Sequence, residues 1–342
     1  MVDALCKEIE MRLGNETDLN IKTLYFGGGT PSLLLAEDWR KLLHALKTFI
    51  RIENLLEFTI EANPDDINEF SLSLWKSLGV NRLSVGVQSF RDEDLQWMNR
   101  AHSAVESLKC IQLAQEYGFH NLTIDLMYGL PNQSLQDWVE QLHIAGRLGV
   151  KHVSAYCLTV EERTALKKRV DTGALVVPED DLIEAQFQAL INILHGYGVE
   201  QYEISNFATP GHEALHNSNY WLGEKYVAIG PSAHGFDGVK RYWNIANNQK
   251  YIRALEENKL PETIEILSPK DRFNELILTG LRTKWGVKLN DLNRLVELDK
   301  SYKDRLNELM TSGVLEQING NIRLSQSAKI KADYYAAMLF LD

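Results

Sequence analysis

The chain has 342 residues, 44% of them hydrophobic, and a formal net charge of −11, which is length and apolar content for one barrel-sized domain with a small appendage and excludes a disordered chain. The acidic balance argues against nucleic acid as a main partner, because phosphate binding needs a cationic footprint. No apolar run is long enough to span a bilayer and the first residues lack a signal-peptide layout, so a cytoplasmic protein with no integral membrane segment is expected.

From the N-terminus, Leu5, Ile9 and Leu13 stand at helical spacing. Thr23–Phe26 then reads as a strand that runs into Gly27-Gly28-Gly29-Thr30-Pro31-Ser32. Glycine has no Cβ and tolerates a left-handed backbone, so such a run brings main-chain groups close to a small polar ligand, or simply makes a tight turn. Further strand-like runs follow at 58–61, 82–87, 122–126 and 153–157, with amphipathic segments such as 39–50 and 104–117 between them. Strands recurring at roughly thirty-residue intervals with helices between imply an α/β fold with a parallel sheet made by right-handed crossovers, a partial barrel or a doubly wound sheet, and a partial barrel fits better.

Ligands in such folds sit at the C-terminal ends of the strands. Polar residues stand at nearly every one: Gly28, Gly29 and Thr30 after the first strand, Glu61 and Asn63 after the second, Gln88 and Ser89 after the third, Asn99-Arg100 beyond it, and Asp125 in the fourth. A carboxylate there can accept from ribose hydroxyls and an arginine can pair a ligand carboxylate through two donors. The structural alternative is that Asn63 or Asp65 caps the helix starting near Ile67 and that Asp125 is buried against Arg82 or Arg100. As a set, the residues favour one ligand-binding rim.

Cys6, Cys110 and Cys157 are far apart and have no CxxC spacing, so they read as ordinary thiols rather than a disulfide framework or a zinc site. Cys157 is nearest to the rim. Lys167-Lys168-Arg169 is the one dense basic run of the stretch that leads to a helix at 182–194, and such runs are usually solvated. A second cluster runs through Tyr202-Glu203-Ile204-Ser205-Asn206-Phe207, His216-Asn217-Ser218-Asn219-Tyr220-Trp221 and Gly230-Pro231-Ser232-Ala233-His234-Gly235. Residues 267–342 read as a small winged-helix-like module: helices at 271–281, 289–296 and 302–311, then a hairpin at 314–324 turning on Asn319-Gly320, a strong type I′ signal. Glu297, Asp304, Glu308 and Glu316 interrupt its basic residues, so a lid or partner surface is preferred over a DNA-binding role.

The motifs GGGTPS, TIEANPDD, NRLSVGVQSF, NRAHS, IDLMYGLPNQ and YEISNFA, in this order, resemble the radical S-adenosylmethionine family of oxygen-independent coproporphyrinogen III oxidases, and more narrowly its HemW haem-chaperone branch. The likeness covers residues 24–244, with a weaker tail from 267 onward. It implies a partial (β/α)6 barrel in residues 1–266, holding a 4Fe–4S cluster and S-adenosylmethionine at its rim, with the winged-helix-like module in 267–342. It further implies that Gly28, Gly29 and Thr30 contact the methionyl part of S-adenosylmethionine, and that Glu61, Gln88, Arg100 and Asp125 fill the remaining polar contacts.

The HNxxYW pattern at His216, Tyr220 and Trp221 is similar to the haem-chaperone branch; it would supply an imidazole for iron and aromatic faces for a porphyrin, with His216 the first axial-ligand candidate and His234 the second. Otherwise His216 bonds a backbone carbonyl while Tyr220 and Trp221 pack in a core. The function implied is binding of haem and S-adenosylmethionine and delivery of haem to acceptor proteins; the alternative is oxidative decarboxylation of coproporphyrinogen III to protoporphyrinogen IX. The family's CxxxCxxC cluster loop is absent from the chain. Its start is therefore expected to be truncated after the loop and first strand, leaving a chain without a cluster, inactive in radical chemistry, and open to forming a homodimer along the Thr23–Phe26 edge.

Overall fold

The computed structural model describes residues 1–14 and 19–341. The chain divides into two compact units: Met1–Leu24, Leu34–Leu56 and Leu215–Asp342 form one, Tyr25–Leu33 and Glu57–Ala214 the other. The first unit begins with α1 (Val2–Leu13) and α2 (Ala36–Lys47). Between them lies β1 (Thr23–Phe26), which ends in the glycine run.

The second unit is the βα series expected from the sequence. In chain order it holds β2 (Glu57–Ala62), α3 (Glu69–Leu78), β3 (Arg82–Gln88), α4 (Asp92–Trp97), α5 (Ala104–Glu116), β4 (Leu122–Tyr128), α6 (Leu135–Arg147) and β5 (His152–Cys157), then α7 (Ala165–Asp171), α8 (Asp180–Gly196), β6 (Glu200–Gln201) and β7 (Asn206–Ala208). Phe58, Ile60, Leu83, Val85, Val87, Ile124, Leu126 and Val153 are buried and alternate with Thr59, Ser84, Thr123 and Ser154, so each strand has one apolar face and one polar face, both covered. Side-chain caps set the helix starts. Asn68 accepts from the backbone of Phe70 and Ser71 to open α3, and Ser103 with Glu106 and Ser134 with Asp137 form reciprocal boxes on α5 and α6. The cap of α3 is thus Asn68, not Asn63 or Asp65, which leaves those two beside the rim.

The sheet runs in the order β1-β2-β3-β4-β5-β7-β6. Strands β2 to β5 are parallel, and the short β6–β7 hairpin, for which the sequence pattern carries no signal, joins antiparallel to β5. Arg82 is not the partner of Asp125. Its guanidinium donates to Asn121 at 2.7 Å and to Thr123 at 2.7 Å, so it is spent on the N-terminal side of β4.

The rest of the first unit holds α9 (Leu215–Trp221), β8 (His234–Phe236), β9 (Lys240–Asn244), α10 (Asn248–Glu256) and β10 (Glu262–Ile266), followed by α11 (Pro269–Leu281), β11 (Val287–Lys288), α12 (Leu289–Leu295), α13 (Lys300–Thr311), β12 (Leu315–Ile318), β13 (Asn321–Leu324) and α14 (Ala332–Met338). The hairpin β12–β13 turns where Asn319 and Gly320 both take positive φ, 52° and 82°, the backbone of a type I′ turn. It completes the three-stranded sheet β11-β13-β12.

One polar cluster of this unit has no precursor in the sequence pattern. Glu8 of α1 is fully buried. Its Oε1 accepts from Arg12 Nε and Asn244 Nδ2, both at 2.7 Å, and its Oε2 accepts from the Gly230 backbone at 2.8 Å and from the Tyr251 hydroxyl. Arg12 also pairs with Glu262 at 2.7 Å and lies 3.9 Å from the centroid of the Tyr242 ring. One carboxylate thereby ties α1 to the loop at Gly230, to β9 and to α10.

Candidate functional site

The glycine run and the ends of β2, β3 and β4 enclose one cleft in the second unit, lined by Gly29, Thr30, Glu61, Asn63, Gln88 and Asp125, with Ser84 and Gly86 at its floor. Glu61 is held from two sides. The Tyr25 hydroxyl donates to its Oε1 at 2.7 Å and the Gly28 N–H donates to its Oε2 at 2.9 Å. Burial, followed by the Glu61 charge, pushes the Tyr25 phenol far up, so it stays a donor. Gly27 makes this approach possible: a Cβ there would stand 2.4 Å from the Tyr25 ring and 2.6 Å from the Glu61 carboxyl carbon. At Gly28 and Gly29 a Cβ would meet nothing, so the close contact rests on Gly27.

Gln88 is bent into the site. The β3–β4 register shifts between Val85 and Gln88, and Gln88 takes φ 65°, a left-handed conformation that costs a non-glycine residue about 1 kcal/mol or more. A buried polar cluster braces the turn behind it: Ser89 Oγ lies 2.8 Å from Asp94 Oδ2 and 2.7 Å from Gln141 Oε1, and the Phe90 N–H donates to Gln141 Oε1 at 2.9 Å. Arg100 donates to Asn63 Oδ1 at 2.7 Å and to the Gly86 carbonyl at 3.1 Å, two residues of the cleft lining. It braces the ends of β2 and β3. Strain held in place by a rigid frame is characteristic of ligand sites.

Burial raises the carboxyl of Asp125 to about 7; Ser154, its register neighbour on β5, pulls it down, the Glu61 charge raises it, and Arg100 and Arg82 lower it. The consequence for stability has a definite sign. Between the ordinary carboxylate range and about 7 the folded chain holds a proton at Asp125 that the unfolded chain has released, so stability falls as pH rises through that window. Asp125→Asn should leave the denaturant midpoint unchanged at pH 4 and raise it at pH 8. Equal shifts at both pH values would contradict the assignment.

The second group of sequence candidates lies in the other unit. His216 Nδ1 is 2.9 Å from Thr23 Oγ1 and its Nε2 is 2.7 Å from the Tyr220 hydroxyl, with the two rings edge to face at 5.0 Å. The imidazole meets two hydroxyls, and Tyr220 is 40% exposed rather than in a core. Burial pushes the imidazole down to about 4, so it is neutral at pH 7. That is the form with an electron pair to give to a metal. Tyr220 continues edge to face onto Tyr226 at 4.6 Å, and Trp221 carries the Arg282 guanidinium 5.5 Å from its ring centroid. His234 is exposed and stacks on Trp243 at 6.1 Å.

Comparison with known proteins supplies the context. The model of the radical SAM superfamily matches residues 5–144, and that of the HemN C-terminal domain matches 267–329. The heme chaperone HemW of Bacillus subtilis (strain 168) is 32% identical over 337 residues, 96% of this chain and 88% of its own length. This chain belongs to the HemW family of the radical SAM superfamily. The HemW of Lactococcus lactis subsp. lactis (strain IL1403) is 34% identical over 298 residues, covering 86% of this chain and 78% of its own. The solved structure of Escherichia coli coproporphyrinogen III oxidase, HemN, superposes with a TM-score of 0.83 at 21% identity, over 99% of this chain and 82% of its own, and shows the same fold.

Membership of the HemW family implies S-adenosylmethionine and a 4Fe–4S cluster, and the two fit the residues differently. The cleft fits an adenosyl ligand: it has an open glycine backbone at Gly29, an anchored carboxylate and a strained strand end. A cluster needs gathered thiolates. Cys6 lies in α1, Cys110 in α5 and Cys157 at the end of β5. Burial pushes the Cys110 thiol up to about 12 and raises that of Cys157. Among the described residues no group of three His, Cys, Asp or Glu could hold a metal. The thiols present do not fit a cluster. Lys167 of the basic run is spent on Asp171 at 2.6 Å and Glu162 at 3.6 Å.

Proposed function

We propose that this chain is a haem chaperone that binds haem through the His216–Trp221 motif, binds S-adenosylmethionine in the cleft at the ends of β2 to β4, and delivers haem to acceptor proteins in the cytoplasm. The observation that carries the reading is similarity over 96% of the chain to a protein named heme chaperone. No helix among the described residues is long and apolar enough to cross a membrane.

The residues have the chemistry that such a carrier needs. His216 offers a neutral imidazole whose Nδ1 lies beside the Thr23 hydroxyl, and its Nε2, facing the Tyr220 hydroxyl, is the nitrogen for iron. The Tyr220 hydroxyl stays protonated, its phenol pushed up to about 12 by burial, so it does not compete as an anionic ligand at neutral pH. In the cleft, Glu61 and Asp125 receive donors of the adenosyl ligand, Gln88 presents an amide, and the exposed backbone of Gly29 and the Thr30 side chain meet the methionyl end.

His216→Ala should shift the Soret band of the haem-loaded chain and weaken binding by at least tenfold, the order expected for losing an axial ligand, while the far-ultraviolet circular dichroism stays the same. An unchanged Soret band in the variant would overturn the assignment.

A further inference from the structure

The motif at His216–Trp221 supplies an imidazole and a phenol, but its tryptophan serves another group. Arg282, just beyond the end of α11, lays its guanidinium over the Trp221 ring, 5.5 Å from the centroid. Two features of this arginine stand out. Its Nε is buried with no hydrogen-bond partner, a donor whose desolvation is uncompensated. Its Nη1 pairs with Asp333 of α14, a carboxylate whose side chain is 73% exposed against 22% for the arginine. An exposed acidic partner on a half-buried cation contributes little and exchanges easily. A guanidinium stacked on an indole, whose acidic partner is exposed and replaceable, can take another carboxylate in that partner's place.

We propose that Arg282 is the carboxylate-receiving residue of the haem site: a propionate of the bound macrocycle bonds its guanidinium beside Trp221 and displaces Asp333. The inference rests on reading His216–Trp221 as a haem site, and it names the ligand class that the site selects, a planar porphyrin bearing free carboxylates. Both residues of the motif lie on α9, five positions apart, which is about 7.5 Å along a helix axis. Arg282 reaches the same helix through Trp221, so the axial ligand and the carboxylate partner are gathered at one short element. Charge supports the direction of the exchange. Haem brings its carboxylates already attached to an apolar body that gains from burial on the aromatic residues of α9, whereas Asp333 brings only the charge.

The test is a titration of haem and of haem dimethyl ester, whose propionates are blocked, into the full chain and into four variants. The unaltered chain should bind haem about tenfold or more tightly than the ester, the scale of a charge-assisted hydrogen-bond pair. Arg282→Gln should bind both alike, at the affinity of the ester, and Arg282→Lys should recover part of the difference. Asp333→Asn should tighten haem without affecting the ester. Thermal midpoints of the variants check that each is folded, and Asp333→Asn serves if the arginine variants are not. Overturning the proposal takes an Arg282→Gln chain that keeps the full preference for haem over the ester, while His216→Ala weakens both ligands; the haem site then stands and Arg282 is only a staple between α9 and α11. If His216→Ala changes neither ligand, the haem reading of the motif falls, and the proposal with it.

Discussion

Glu8→Ala is expected to destabilise the first unit by about 3–5 kcal/mol, the scale for stripping one partner from a buried ionic cluster. The carboxylate is fully buried and accepts from four donors, those of Arg12, Asn244, Gly230 and Tyr251. Alanine would leave them facing a cavity with no acceptor, and the Arg12 guanidinium, with 8% of its side chain exposed, would remain largely unsolvated with only Glu262 as an ionic partner. Glu8→Gln keeps the volume and one acceptor oxygen, so it should cost roughly half as much. The exposed pair of Lys41 and Asp3, at 53% and 81% side-chain exposure, is the control. Asp3→Ala should change stability by at most about 0.5 kcal/mol. Urea unfolding of the three variants reads the difference, and a Glu8→Ala chain within about 1 kcal/mol of Asp3→Ala would contradict the cluster's role.

Gly27→Ala should weaken adenosyl-ligand binding far more than Gly29→Ala does. The Gly27 Cβ would fall 2.4 Å from the Tyr25 ring and 2.6 Å from the Glu61 carboxylate, inside any real contact distance, whereas the Gly29 Cβ points into open space. Both Tyr25 and the Gly28 N–H would have to release Glu61 for the methyl to fit. Losing a carboxylate that carries two hydrogen bonds into the site should weaken S-adenosylmethionine by about 100-fold, and Glu61→Gln, which keeps the shape, by about tenfold. Isothermal titration with S-adenosylmethionine reads both. If Gly27→Ala binds as the unaltered chain does, the anchored carboxylate is not part of the ligand site.

What the sequence alone makes legible follows a simple physical division. The βα series is legible because each strand alternates apolar residues with polar ones and each long helix carries a periodic stripe, both local properties. The Asn319-Gly320 turn is legible because it depends on two adjacent residues that tolerate positive φ. The rim is half legible. Glu61, Gln88 and Asp125 are polar residues at strand ends and line the cleft as expected. Gln88's left-handed backbone and Gly27's close approach to Glu61 depend on neighbouring strands and show only in three dimensions. Arg100, expected among the ligand contacts, donates to Asn63 and to the Gly86 carbonyl, both in the cleft lining, a pairing the sequence pattern does not show.

Glu8 shows the limit most clearly. It lies three residues after Leu5 and next to Ile9, on the side of the helix that carries the apolar stripe, where a glutamate ordinarily reads as solvated. The reason for its burial lies 236 and 243 residues further on, at Asn244 and Tyr251. His216 is similar. A histidine in an HNxxYW pattern is visible, but the hydroxyl that orients it belongs to Thr23, 193 positions away.

The central claim is that this chain takes up haem reversibly in order to pass it on. The most direct measurement is a haem titration of the purified chain followed by Soret absorption, with an excess of an apo-haem protein added at saturation. The account predicts saturable binding of one haem per chain, then transfer of the spectrum to that of the acceptor's holo-form. Absorbance that climbs without saturating, or haem that stays on the chain when the acceptor is present, would contradict it.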